Sequence, residues 1–260
     1  MSQPSISLQT PLFPVTQPFN LPEAVLSEHH APHLSSRYGH IRSANVIEAL
    51  TLEDYSITKI GTTRGSKFGK HVMTLEHGQA NGQGYTPQIV IVNSHDGSSA
   101  YRLHVGLFEH KTGLCLIVGT EWGKLRVQHT KGVVTEVVNA TRQLAQESPK
   151  LNLVIQAMRN HILTLEQQRE YAALALRARY KDNKCPISSD ELLWSNSHSL
   201  APRSIWEVFQ RCQGQLIAGG LKGRTRFGLP TTTRKIHSPL RKVAISTTLW
   251  MLAERYATLN

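Results

Sequence analysis

Residues 88–108 read QIVIVNSHDGSSAYRLHVGLF. Gln88 to Val92 is, after its opening glutamine, a continuous β-branched apolar run, which marks a strand buried on both faces. Asp96-Gly97 is a hairpin-turn pair, because glycine takes positive φ without steric cost and Asp tolerates turns. Ala100 to Phe108 alternates through Tyr101, Leu103, Val105 and Leu107, the period of a half-buried strand. Two antiparallel strands around a polar turn therefore form the centre of the fold.

Further elements extend from this pair in both directions. Tyr55 to Ile60 alternates as a strand, Gly61 to Gly69 is a basic connection, and His71 to Glu76 reads as the strand that follows. Ser43 is placed to cap a short helix with Val46, Ile47 and Leu50 on one face, ending near Asp54. Leu114 to Val118 and Leu125 to Val127 are further strand candidates, and Val133 to Gln146 has helical spacing. Ser148-Pro149 reads as a helix start; the stripe Leu151, Ile155, Met158, Ile162 and Leu165 predicts a helix running on towards Tyr180. Pro202 opens another helix, which Gly219-Gly220 stops, and Ser238-Pro239 opens the last. The predicted class is α+β, an antiparallel sheet of several strands flanked by helices and followed by a helical C-terminal half.

Three units follow: an arm over 1–36, an α/β core over 37–147 and a helical region over 148–260 that carries a basic loop at 221–242. Six of the twelve prolines lie in the arm, which has no Lys or Arg. Proline removes donors and forces extended geometry, so the arm is expected to be neither helix nor central strand. Its apolar groups, among them Phe13, Phe19 and Leu21, suit packing across its own domain or onto a second subunit. Removing the arm should then lower the oligomeric state without unfolding the domain.

The 260 residues hold 29 Lys and Arg against 18 acids, a formal charge of 29 − 18 = +11. Such an excess points to a polyanionic partner. No apolar run approaches the ~20 residues that span a bilayer. Cys115, Cys185 and Cys212 are odd in number and widely spaced, which suits a reducing cytoplasm and neither a disulfide framework nor a zinc knuckle. The proline-interrupted start lacks the apolar core of a secretory leader.

The basic residues concentrate in one place. Lys222, Arg224, Arg226, Arg234, Lys235, Arg241 and Lys242 occur without one acid between them. Their expected role is phosphate binding, with Arg64, Lys67 and Lys70 of the strand connection adding to the face. That connection ends in Gly69-Lys70 but is no phosphate loop: Arg64 stands where the first glycine belongs and His71 where Ser or Thr would hold magnesium.

Asn93, Ser94, His95, Asp96, Gly97 and Ser98 form the densest polar cluster. It reads first as a structural turn, second as a phosphate contact, third as a catalytic group. Consecutive strand residues point to opposite faces, so Ser94, His95 and Asp96 are not expected to converge on one atom. His29, His30, His33 and His40 have spacings that suit a divalent metal, but a Pro-rich arm offers them no rigid support. No metal, no cofactor and no catalytic residue is expected. Trp122, Trp194, Trp206 and Trp250 read as core or subunit-contact residues.

The 88–108 stretch resembles the phage- and plasmid-associated family described as domain of unknown function 932, whose strand ends in the same Asn-Ser-His-Asp-Gly turn and whose next strand runs into Gly-x-Phe. Similar positions continue through Gly113-Leu114, Val118-Gly119, Gly123 to His129, Gly219-Gly220 with its basic loop, and Leu249 to Glu254. The likeness spans residues 36–256, with Glu109 to Thr112 as a departure. It implies a home in mobile elements of bacterial cells. The order of helix, antiparallel strands and helix also resembles the core of single-strand annealing recombinases.

The leading expectation is an ATP-independent DNA-binding protein of recombination, cytoplasmic, favouring single strands and annealing them as a homo-oligomer without membrane contact. A regulatory or anti-defence protein that engages a host defence or recombination protein is the second expectation. A metal-dependent nuclease or phosphoesterase using His95 and Asp96 is the third.

Overall fold

The two patterns in 88–108 become two paired strands, β3 (Tyr85–Asn93) and β4 (Tyr101–Glu109), in register from Tyr85 opposite Glu109 to Val92 opposite Arg102. This computed structural model describes residues 20–36, 38–63, 66–78, 85–109, 114–117, 125–127, 133–180, 184–194 and 203–258. β1 (Tyr55–Thr62) and β2 (His71–His77) extend the sheet on one side; β5 (Leu114–Ile117) and β6 (Leu125–Val127) both pair with β4 on the other. Every pairing is antiparallel, and a bulge between Ile57 and Lys59 interrupts β1.

Alternation buries both faces of the sheet. Met73, Leu75, Ile89, Ile91, Tyr101 and Leu103 face a first core with α2 (Ser43–Thr51), whose Val46, Ile47 and Leu50 are buried there. The opposite residues Val72, Val90 and Val92 meet Leu240 and Val243 of α7 (Pro239–Thr258). Further along the first face of β4, Val105 and Leu107 join a second, larger core made by the helices. That core packs α3 (Val133–Asn160), α4 (Leu165–Arg179), α5 (Ser189–Trp194), α6 (Ile205–Ala218) and the C-terminal half of α7. Trp206, Phe209 and Trp250 meet edge-on or tilted at centroid distances of 5.7–6.3 Å, and the buried Tyr171 hydroxyl donates to the Leu249 carbonyl at 2.8 Å. Trp206 and Trp250 are core residues and Trp194 packs against that core; Trp122 lies outside the described residues. The fold is α+β.

Several boundaries differ from the sequence reading. Ser148-Pro149 starts nothing: α3 runs through it, so the boundary drawn between 147 and 148 falls inside one helix. The stripe does not carry on to Tyr180 either. The chain breaks after Asn160 and restarts at Thr164, whose hydroxyl and Gln167 form a reciprocal capping box. Pro202 lies outside the described residues, and Ser204 with Glu207 forms the box that opens α6. Pro239 does begin α7, and Gly219 and Gly220, at φ 69° and 85°, end α6.

The arm departs most from expectation. Residues 1–19 lie outside the described residues. Within the remainder, α1 (Glu23–Leu26) is a short helix that follows the extended Pro22 at its N-cap, where the arm was expected to hold no helix. Val25 and Ala31 are buried, Val25 in the first core. This part of the arm packs across its own domain.

Candidate nucleic-acid interface

The basic loop is a hairpin: β7 (Lys222–Arg224) pairs antiparallel with β8 (Pro230–Thr232). Strands this short and polar carry no apolar alternation, so the sequence pattern does not reveal them. The chain then passes back over the end of α6, where Gly220 N–H donates to Thr233 and Ile236 N–H to Ile217. Arg234 and Lys235 are thereby held exposed between two buried anchors, Thr233 and Ile236.

An open cleft of about 380 Å³ lies beneath the hairpin. Arg226, Thr231, Thr232 and Arg234 line it from the hairpin side, Arg179 and Tyr180 from the end of α4, and Lys184 and Arg241 complete the lining. Arg179 braces the walls. Its guanidinium donates to the carbonyls of Leu216 and Arg234, and its own carbonyl accepts from Arg241 Nη2 at 3.1 Å. Burial, and secondarily Arg241, holds Arg179 below the ordinary arginine range.

A second cleft of about 290 Å³, lined by Thr62, Lys70, His237 and Ser238, reaches the first turn of α7 at Pro239 and Leu240. That turn carries no acid; it carries Arg241 and Lys242. Acids favour a helix N-terminus because its free N–H groups carry positive partial charge, so two cations there leave that charge uncompensated. Partial burial, then the nearby cations Lys59 and Lys235, hold the Lys242 ammonium below its usual range. Lys70 thus lines one cleft and Lys184, Arg226, Arg234 and Arg241 the other, and Lys242, with Lys235 near it, stands in or beside the first turn of α7. After Glu207 the next acid in sequence is Glu254. Among the described residues, the ion pairs lie elsewhere: Arg42 with Glu28, Lys67 with Glu23, Arg142 with Glu53 and Arg169 with Asp190.

Not every expected cation joins the strip. Lys67 faces Glu23 at 3.9 Å and lies over its neighbour Phe68, and Arg64 falls outside the described residues. Lys222 and Arg224 are exposed on β7, where Arg224 Nη1 donates to the Gly228 carbonyl at 3.0 Å and braces the hairpin. Arg179, Lys184 and Lys59 were not anticipated, although Arg177, Arg179, Lys181 and Lys184 crowd into eight residues of sequence.

The Asn93–Ser98 cluster is not a two-residue hairpin turn. β3 ends at Asn93 and β4 begins at Tyr101, so Ser94, His95 and Asp96 leave the sheet altogether and do not alternate along a strand. Gly97 does take positive φ, 73°, while Asp96 does not, and the Asp96 carboxylate accepts from Ser98 N–H at 2.9 Å. Asn93, Ser94 and His95 are fully buried. His95 N–H donates to Phe68 O, and Ala31 N–H donates to His95 O, both at 2.8 Å. The loop is a seat on which the arm and the β1–β2 connection dock.

Histidines fill that seat. The His71 and His95 rings lie 5.1 Å apart and those of His40 and His95 4.6 Å apart. His71 sits 3.1 Å from the Gly69 carbonyl through Nδ1 and 2.7 Å from Ser43 Oγ through Nε2, and Asn93 Nδ2 donates to the same Ser43 oxygen at 3.0 Å. One neutral tautomer satisfies the chain: Nδ1–H donates to Gly69, and Nε2 accepts from Ser43. Ser43 therefore serves this network and caps nothing; the cap of α2 is Arg42, without a side-chain bond. Burial pushes both His71 and His40 below the ordinary histidine value. Two of the four N-terminal histidines do find partners, against the expectation of no rigid support: His40, just beyond the arm, donates to Ser27 O and His33 to Asp96 O, each at 3.2 Å. Among the described residues no group of three or more His, Cys, Asp or Glu has an arrangement that could hold a metal ion, and no helix is long and apolar enough to cross a membrane.

Residues 31–250 match the family described as "Domain of unknown function (DUF932)". Two proteins of Escherichia coli strain K12, UPF0380 protein YfjQ and UPF0380 protein YafZ, are each 28% identical to the chain over 246 residues, covering 92% of it and 90% of each relative. No solved structure matches.

Proposed function

The chain belongs to the DUF932 family, and from the strip of cations we propose that it is an ATP-independent DNA-binding protein of phage or plasmid type. It grips single strands by their phosphates and, as an oligomer, brings complementary strands together. The observation that carries this reading is the convergence of Arg226 and Arg234, Lys184, and Arg241, from three separate elements, on one cleft whose lining holds no carboxylate among the described residues. Like charges held together cost free energy unless a counter-charge relieves them, and a phosphate backbone supplies one at regular intervals. Contacts confined to phosphates leave base edges free to find a complement. A hydrolytic reading has less support, since His95 is fully buried and the Asp96 carboxylate is occupied by Ser98.

Fluorescence anisotropy with labelled single- and double-stranded 30-mers tests the proposal. Lys184, Arg226, Arg234 and Lys235 are exposed and carry no ion pair among the described residues, so replacing all four by Ala should leave the fold intact. The variant should bind single strands at least tenfold more weakly, whatever their sequence. Equal affinity of wild type and variant removes the strip from the interface.

A further inference from the structure

We infer that the tip of the β7–β8 hairpin is a base-contacting element, in which Phe227 stacks on an unpaired nucleobase at the mouth of the cleft. The inference rests on the DNA-binding reading above and adds to it a contact that phosphate neutralisation does not supply.

Turn positions ordinarily carry Gly, Asn, Asp or Ser. Here the turn carries Phe227 and Leu229, 73% and 63% exposed, and Phe227 is the one aromatic among the strongly exposed large apolar side chains of the described residues. The tip is well braced. Thr225 N–H donates to Leu229 O at 2.8 Å, Gly228 N–H donates to Thr225 O at 2.9 Å, and Thr225 Oγ1 accepts from the N–H groups of Phe227 and Leu229. Gly228 takes φ 78° with nothing near the position a Cβ would fill, so the turn needs glycine for its backbone alone. A ring on a braced turn loses little freedom when it stacks, which favours binding.

Charge chooses the occupant. The Arg226 guanidinium lies over the Phe227 ring, 4.5 Å from its centroid, and Lys222 and Arg224 stand exposed on the adjoining strand. An apolar protein partner would have to bury these cations, whereas a nucleotide answers both parts: its base stacks on the ring and its phosphate meets the guanidinium. Arg226 also lines the cleft, so a strand held there passes the tip.

The test uses the full chain with a single-stranded 20-mer carrying one 2-aminopurine, and with an oligonucleotide of the same phosphate count made wholly abasic. Phe227→Ala should bind the base-containing strand about tenfold or more weakly, lose the 2-aminopurine fluorescence change, and bind the abasic strand as wild type does. Phe227→Trp should restore both signals. The exposed ring leaves folding untouched, which an unchanged Tm checks. Wild-type behaviour of Phe227→Ala on both strands overturns base stacking while leaving the phosphate strip standing. Equal losses on both strands overturn it too, because the tip would then act without bases. Failure of the wild-type protein to bind either strand overturns the DNA-binding reading and this inference with it.

Discussion

Gly219 couples the fold to the cationic strip, and replacing it by Ala measures that coupling. Its backbone sits at φ 69°, ψ −158°, a region open essentially to glycine alone, where a side chain costs about 1–3 kcal/mol. A Cβ there would also lie 2.6 Å from the backbone C of Arg234 and the N of Lys235, against 3.4 Å or more in ordinary contact. The obstacle is backbone, tied down by Arg179 and by the Ile236 bond to Ile217, so it cannot swing away. Gly220 is the control: it too has positive φ, 85°, but a Cβ would meet nothing within 4 Å. Gly220→Ala should cost about 1 kcal/mol and Gly219→Ala about 3–4 kcal/mol, strain and displacement together. At roughly 2 °C per kcal/mol for a chain of this size, the two melting temperatures should differ by about 5 °C. Urea denaturation gives the free energies, and anisotropy on the folded fraction should show Gly219→Ala alone weakening DNA binding through its shifted Arg234. Two variants with the same stability and the same affinity would refute the close approach as the device that positions Arg234 and Lys235.

Acid should destabilise the protein. His71 and His40 are held neutral below their ordinary value of 6.5, so as the pH falls through 6.5 the unfolded chain binds protons that the folded chain refuses. Stability is fully present above that value and is lost below it, levelling off beneath the depressed ones; the buried His71 contributes about 1.4 kcal/mol for each unit separating its folded and unfolded values, and the half-buried His40 less, because solvent screens it; urea midpoints between pH 8 and pH 5 measure it, and a flat profile would contradict the neutral network. Removing residues 1–36 should destabilise the domain by several kcal/mol, because Val25 and Ala31 go with them, and a Tm equal to that of the full chain would show this packing to be dispensable.

The sheet was legible because burial writes its period into the residues. Ile89 to Val92 had to be apolar throughout, since Ile89 and Ile91 face one core while Val90 and Val92 face the other. The family likeness rested on the same stretch, and the match over 31–250 agrees with it. Ser148-Pro149 misled because a local start signal does not register tertiary packing, and Leu151, Ile155 and Met158 bury that helix whichever residue precedes them. Ser43 misled for a related reason: an N-cap hydroxyl and a partner for a buried histidine look alike until His71 and Asn93 are brought together from 28 and 50 residues away. The composition of the basic segment pointed to its role but not to its shape. Polar strands of three residues leave no pattern, and no spacing rule joins Lys184 to Arg226 or Lys70 to His237.

The salt dependence of single-strand binding tests the central claim most directly. Counterion release gives a log–log slope of about −0.7 per phosphate contact on single strands. If Lys70, Lys184, Arg226, Arg234, Lys235, Arg241 and Lys242 all meet phosphates, the wild-type slope should be about −5, and loss of Lys184, Arg226, Arg234 and Lys235 should bring it to about −2. A shallow wild-type slope, or one the four substitutions leave unchanged, would contradict the account.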